Sequence, residues 1–309
     1  MDGSVASGSQ VQLTFGGSKT KEVAPGEQFW SDPVALHLPA GHLLAFTWTL
    51  SAAPGASIPY NTEQMLVSAY DAPGQLAGAE HAEAGFKPSA NLLVLPAFIG
   101  YARQVRQRLV FLGDSITQGV RTRQDGYEYW VARIADGLGP DYGVWNLGSG
   151  WARAYDASAN AAWLHKAKLG LVPDGSDALI MLALGVNDLD IGARTAEELL
   201  EDLTMICSLL RAHAPAAKIV LFTVPPFNFR EERESRWRKV NEVLRRSALP
   251  GVDRVFDMAA LLSMPEPEAH LERREFMSSA DDPHPNGHAG QVVSEAFLAW
   301  ARDSGLIEQ

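Results

Sequence analysis

The sequence has almost no cysteine. Cys207 stands alone among 309 residues, so neither an intrachain disulfide framework nor a multi-thiolate metal site can be assembled, and its apolar helical surroundings mark it as core. Basic residues are also short: 26 Lys and Arg against 37 Asp and Glu give a formal net charge of -11, which argues against a nucleic-acid backbone or an anionic membrane surface as partner. No apolar run reaches the ~18 residues of a membrane-spanning helix. Residues 1–10 carry neither the basic start nor the apolar stretch of a secretion signal, so the expected location is cytoplasmic. Internal repeats and low-complexity tracts are missing too. What is present is an ordinary globular composition, 46% hydrophobic and 20% charged, on a chain long enough for two moderate domains.

The first hundred residues hold short β-type runs at 11–15, 34–38, 43–50 and 65–70, separated by turn clusters such as Ala24-Pro25-Gly26 and Ala53-Pro54-Gly55. This predicts a smaller all-β sandwich domain of jelly-roll type over residues 1–105. Trp30, Trp48, Tyr60 and Tyr70 suit the core of such a sandwich, or stacking on sugar rings. From residue 106 to 309 short apolar runs alternate with amphipathic helices, the pattern of an α/β domain with a mostly parallel sheet covered on both faces. Strands are expected at 108–112, 144–147, 178–184, 218–224 and 252–256. Thr195 with Glu198 reads as a capping box on a helix carrying Leu199, Leu203, Ile206, Leu209 and Leu210. A final helix from Gly287 is expected to bury Val292, Ala296, Phe297 and Trp300.

In open α/β sheets ligands bind beyond the carboxyl ends of the strands, so the residues that follow strands are the ones to read for chemistry. After the first strand comes Gly113-Asp114-Ser115-Ile116-Thr117. It lacks the Gly-x-Ser-x-Gly of an α/β-hydrolase elbow, because position 117 is Thr, and by itself it also suits a helix cap. The third strand runs into Gly185-Val186-Asn187-Asp188, which places a side-chain amide at the same edge; a preorganised donor there stabilises a developing oxyanion by ~3 kcal/mol, although an Asn-Asp turn explains the pair too. Near the C-terminus stands Asp281-Asp282-Pro283-His284-Pro285. An Asp three residues before a His can fold back within one turn and accept the imidazole Nδ1–H, leaving Nε2 as a base.

Taken in order, Gly113-Asp114-Ser115, Asn146-Leu147-Gly148-Ser149-Gly150, Gly185-Val186-Asn187-Asp188 and Asp281-Asp282-Pro283-His284 resemble the four blocks of the SGNH hydrolases, also called GDSL-type esterases. The resemblance covers about two-thirds of the chain. It implies a three-layer α/β/α, flavodoxin-like fold, Ser115 as nucleophile, His284 as base and Asp281 as its partner. The implied oxyanion hole is Ser115 N–H, Gly150 N–H, with Gly148 as the alternative, and the Asn187 side chain. No cofactor and no metal are implied. A β lobe joined to such a domain resembles carbohydrate esterases, so the expected reaction is hydrolysis of short-chain acyl esters, O-acetyl groups on carbohydrates above all. A lipase or thioesterase, and a non-catalytic carbohydrate-binding protein, are the alternatives. The expected partner is a small-molecule or carbohydrate ester, and an oligomeric state is not readable. Arg153 and Asp156 either line the pocket or begin a solvated helix. His165, His213 and His270 are expected at the surface. A rival metal-dependent deacetylase would draw His284, His288 and Asp282 onto one ion.

Overall fold

The computed structural model describes residues 5–25, 27, 29–39, 41–57, 66–78, 85–89, 99–158, 175–246 and 249–308. The chain divides into two compact units, one of Met1–Thr62 and Ser68–Ala97, the other of Glu63–Val67 and Phe98–Gln309.

The described residues of the first unit hold little regular structure. Strands β1 (Tyr70–Asp71) and β2 (Lys87–Pro88) pair antiparallel, and Phe15 bridges Ser18. The Asp32 carboxylate organises one turn by accepting from the Thr14 hydroxyl and from the N–H groups of Gly16 and Gly17. Phe15 and Phe29 meet edge to face at 5.6 Å. The expected sandwich is not found among these residues: the runs at 34–38 and 43–50 form no ladder, and only Tyr70 of the run at 65–70 is in a strand, Met65 lying outside the described residues. A β-type run becomes a strand only where a partner strand and a covered face receive it. Here Val34, Leu36, Leu38, Leu43 and Leu44 are all exposed. Trp30, 57% exposed, and the exposed Trp48 and Tyr70 are likewise not sandwich core; Tyr60 lies outside the described residues.

The second unit is built on a five-stranded parallel sheet in the order β4-β3-β5-β6-β7, where β3 is Gln107–Gly113, β4 Tyr142–Gly148, β5 Ala178–Ala183, β6 Lys218–Phe222 and β7 Arg254–Phe256. Successive strand residues point to opposite faces, and Leu109, Val110, Phe111 and Leu112 are all buried. Both faces are therefore covered by helices, which is why these strands read as continuous apolar runs. On one face α2 (Trp130–Leu138) packs with the last helix, α8 (Gly287–Asp303). Their Trp130 and Phe297 join Phe111, Phe222 and Phe256 of the strands, with ring centroids 5.1–6.1 Å apart. Truncating a ring such as Phe111 in such a cluster costs about 3–5 kcal/mol.

Helix α5 (Ala196–His213) opens on the capping box expected from its sequence: Glu198 N–H donates to Thr195 Oγ1, and Thr195 N–H to the Glu198 carboxylate. It buries Leu199, Leu203, Ile206, Cys207 and Leu210, and packs against α3 (Ala154–Ala157) and α6 (Glu232–Arg245). Burial pushes the Cys207 thiol up to about 12. In α8 the most deeply buried face is Ala289, Val293, Phe297 and Ala301, with Val292, Ala296 and Trp300 packed at its margin. The stripe is turned by one residue from the one expected. Among the described residues no helix is long and apolar enough to cross a membrane.

Candidate active site

Strand β3 ends at Gly113 and delivers Ser115 as the first residue of the short helix α1 (Ser115–Gln118). Asp114 is the N-cap, its carboxylate accepting from Ile116 N–H at 2.9 Å. Position 113 must be glycine, because a Cβ there would stand 2.0 Å from Thr117 Oγ1. The Trp130 indole N–H donates to the Ile116 carbonyl at 3.0 Å, which ties α1 to α2.

His284 arrives from the far end of the chain. It sits in β9 (Asp282–Pro285), which pairs antiparallel with β8 (Met277–Ser279). Its Nε2 lies 3.1 Å from Ser115 Oγ, and Phe227 packs against its ring edge at 5.1 Å. Just after it, α8 begins under an Asn286 cap whose side chain accepts from the N–H groups of His288 and Ala289. The first turns of α8 press onto the chain ahead of α2: a Cβ on Gly290 would stand 2.2 Å from the Glu128 carbonyl oxygen, and one on Gly287 would meet the Glu128 side chain at 2.8 Å.

The carboxylate beside His284 is Asp282 and not the expected Asp281. Asp282 Oδ1 accepts from the imidazole Nδ1 at 2.6 Å and from the His284 backbone N–H at 3.1 Å. The expectation assumed a folded turn, in which a residue three positions back returns to the ring. The segment is extended, and in a strand positions two apart share a face. Asp282 therefore falls beside His284, while Asp281 is left exposed in the β8–β9 turn. Burial works against the charge on Asp282, but the hydrogen bonds and charge of His284, together with Arg121, outweigh it and hold this carboxyl below the usual range. Arg121 Nε donates to Asp282 Oδ2 at 2.8 Å. The Asp282 charge acts in turn on Glu272. It is 2% exposed, its carboxyl oxygens have no hydrogen-bond partner among the described residues, and burial with the Asp282 charge pushes it up to about 9.

The residues expected to form the oxyanion side make a separate set of contacts. Asn187, buried in the short helix α4 (Val186–Asp190), donates one amide hydrogen to the Ala152 carbonyl at 3.0 Å. Its neighbour Asp188 accepts from Ala154 N–H and Tyr155 N–H at 2.9 and 3.1 Å. Helix α4 thus pins the segment that runs on from the second sequence block. Within the block itself, the Gly150 N–H donates to Gln118 Oε1 at 2.7 Å, so the expected backbone donor is already engaged. The N–H of Gly148, the alternative, is engaged as well, donating to Asn146 Oδ1 at 2.9 Å, and a Cβ there would stand 2.3 Å from Gln118 N. Gln118 was not singled out by its sequence context; a flexible side chain one turn past Ser115 carries no pattern. Trp151 follows at φ 62° and is 63% exposed.

Two buried carboxyls stand on this side. Desolvation pushes Asp114 up to about 7, with the Asp188 charge adding to it, and Asp188 up to about 6 against the pull of its two backbone donors. Arg153 and Asp156 are engaged with each other in a two-pronged pair at 2.8 and 2.9 Å. His213 and His288 are exposed, the latter's ring meeting Phe276 at 5.1 Å. His270 is not a surface residue: its ring is largely covered and lies 3.1 Å from Glu234. His165 falls outside the described residues. Among the described residues no three His, Cys, Asp or Glu side chains converge as metal ligands.

A hydroxyl within reach of an imidazole whose other nitrogen faces a carboxylate is the geometry for general-base activation of an oxygen nucleophile. Residues 111–291, more than half of the chain, match the model of the GDSL-like lipase/acylhydrolase family. The chain belongs to that family. Among similar solved structures are a carbohydrate esterase of family 3 from Talaromyces cellulolyticus (17% identical, covering 65% of this chain and 100% of that one, TM-score 0.46) and the aryl esterase of M. smegmatis (16%, 64% and 99%, TM-score 0.48). A phospholipase A1 from Streptomyces albidoflavus NA297 is another (17%, 63% and 99%, TM-score 0.46). A curated relative, an uncharacterized protein of Mycoplasma pneumoniae, is 28% identical over 141 residues; the match covers 44% of this chain and 15% of that protein's length.

Proposed function

We propose that this chain is a serine esterase that hydrolyses short-chain acyl esters, in particular O-acetyl groups on carbohydrates, through an acyl-Ser115 intermediate. The observation that carries the reading is the unbroken line from Ser115 Oγ to His284 Nε2 at 3.1 Å and from His284 Nδ1 to Asp282 at 2.6 Å. Ser115 Oγ attacks the ester carbonyl carbon as its proton passes to Nε2. The tetrahedral intermediate collapses when Nε2 returns that proton to the departing alkoxide oxygen. Water then attacks the acyl carbon by the same route, and Ser115 regains its hydrogen.

The developing oxyanion takes the Ser115 N–H and the second amide hydrogen of Asn187, whose first is spent on orienting it. Gly150 N–H joins them only when Gln118 Oε1 withdraws. A polar alcohol portion suits the charged side chains near the second block, Arg153 and Asp156.

Ser115→Ala should remove hydrolysis of p-nitrophenyl acetate and of O-acetylated sugars while leaving the thermal midpoint in place. A variant that kept more than a few per cent of wild-type turnover would sink the nucleophile assignment. The acyl-length preference, acetate over octanoate, separates the short-chain reading from a lipase.

A further inference from the structure

The contact on the far side of Asp282 is not part of the reaction as proposed above. Arg121 lies in the turn that leaves α1, where both the Thr122 backbone N–H and Thr122 Oγ1 return to the Gly119 carbonyl, at 3.2 and 2.7 Å. Its φ of 73° is the left-handed region that a long side chain rarely occupies. The buried Thr122 holds the turn shut, and the turn directs the guanidinium across 161 positions of sequence onto Asp282 Oδ2. The pair is open to solvent, with Arg121 and Asp282 side chains 50% and 26% exposed. Ion pairs of that exposure contribute little to folding, so stability does not account for a strained backbone spent on making one.

We propose that Arg121 is a positioning residue for the proton relay: its Nε–H fixes the Asp282 carboxylate so that Oδ1 alone meets both N–H groups of His284, and its charge tempers the pull of that anion on the imidazole. This inference rests on the serine-esterase reading of the same site. The titratable and charged groups around Asp282 come from three elements. Arg121 faces Oδ2 from the turn after α1, His284 faces Oδ1 from β9, and Glu272, on the segment bridged to Ser263, feels the Asp282 charge. With the guanidinium removed, Oδ2 loses its donor, the carboxylate is free to turn, and its undiminished charge favours the protonated ring. A protonated ring cannot accept the Ser115 hydrogen. The acid side of the rate profile therefore moves to higher pH, and turnover falls without loss of substrate binding.

The experiment compares wild type, Arg121→Gln and Arg121→Lys, following kcat and KM for p-nitrophenyl acetate from pH 5 to 9 and the low-field proton signal of the His284 Nδ1–H. In Arg121→Gln the acid limb of kcat/KM should move up by about one pH unit, equivalent to roughly tenfold lower activity at a fixed pH on that limb. KM should hold, the low-field signal should shift or broaden, and Arg121→Lys should recover at least half of the displacement. A Gln variant with the wild-type profile and an unchanged low-field signal overturns the proposal. So does a Lys variant as impaired as Gln, because charge would then not matter. If Gln fails to fold, the same spectroscopic and kinetic comparison of Lys with wild type decides. The signal is also read in Ser115→Ala with and without Arg121→Gln. A response there, in a protein whose Ser115→Ala form kept its activity, would leave the Arg121–Asp282–His284 coupling standing while the esterase reading fell.

Discussion

The two sides of the site handle carboxylates in opposite ways. On the oxyanion side Asp114 and Asp188 are buried and served by backbone N–H groups, and desolvation raises both, to about 7 and about 6. On the relay side Asp282 is left partly wet, paired with Arg121 and His284, and held below the usual range. The first pair shapes backbone: Asp114 starts α1, and Asp188 fastens residues 154 and 155. In the proposed reaction the second must stay an anion beside an imidazole that becomes charged in each turnover. Burial suits a carboxyl whose work is geometry, whereas partial solvation with a cation suits one whose work is charge.

The sharpest way to break this contrast is to remove the charge on the relay side. Asp282→Asn keeps the shape but loses the anion and the tautomer it enforces, so kcat should fall by roughly 10³–10⁴, whereas Asp281→Asn should stay close to wild type. Steady-state kinetics on the two variants decide between neighbours one residue apart, and the reverse ranking would restore the sequence-based choice. On the oxyanion side Asn187→Ala should cost roughly 10²–10³ in kcat with KM nearly unchanged, because the donation strengthens only as negative charge develops. The lost bond to the Ala152 carbonyl should also lower stability by ~1 kcal/mol. Full turnover per folded molecule in a destabilised variant would leave Asn187 a turn residue.

The smallest effect on turnover concerns Glu272, the buried exception on the relay side. Its folded-state value of about 9 lies above the ordinary carboxyl range. The stability tied to its neutral form is thus complete in acid, and it is lost as pH rises from that ordinary range through about 9. Glu272→Gln removes the titration. Its thermal midpoint relative to wild type should climb steadily between pH 5 and 9, and a constant offset across that range would show that Glu272 is already ionised in the folded state and that burial does not raise it.

Much of the second unit was legible because its signals are local. Continuous apolar runs marked every strand of the sheet, to within two residues at most ends, and the capping box of α5 lies within four consecutive residues. Ser115 stood out because its block follows a strand end, and His284 because its block completes the ordered set that resembles the SGNH hydrolases. What stayed hidden depends on conformation or on distance. Asp281 and Asp282 differ by one position, and the selection between them turns on whether the segment is coiled or extended. Arg121 meets Asp282 through a strained turn that no periodicity announces, and Gln118 reaches Gly150 by a rotatable side chain. In the first unit the β-type runs were real as composition, but among the described residues they lack the partner strands that turn such runs into a sandwich.

The 3.1 Å between Ser115 and His284 spans 169 positions of sequence, and neither residue sets it alone. It is the residue of fits made elsewhere. Gly287 and Gly290 let the start of α8 lie almost on top of Glu128. Two residues on, the Trp130 indole clasps the Ile116 carbonyl, one position past the nucleophile. Base and nucleophile are thus gauged against a common stop. A single methyl group added at position 290 has no room except by moving that stop, so its cost falls on the distance between Ser115 and His284, six positions along the chain from His284 itself.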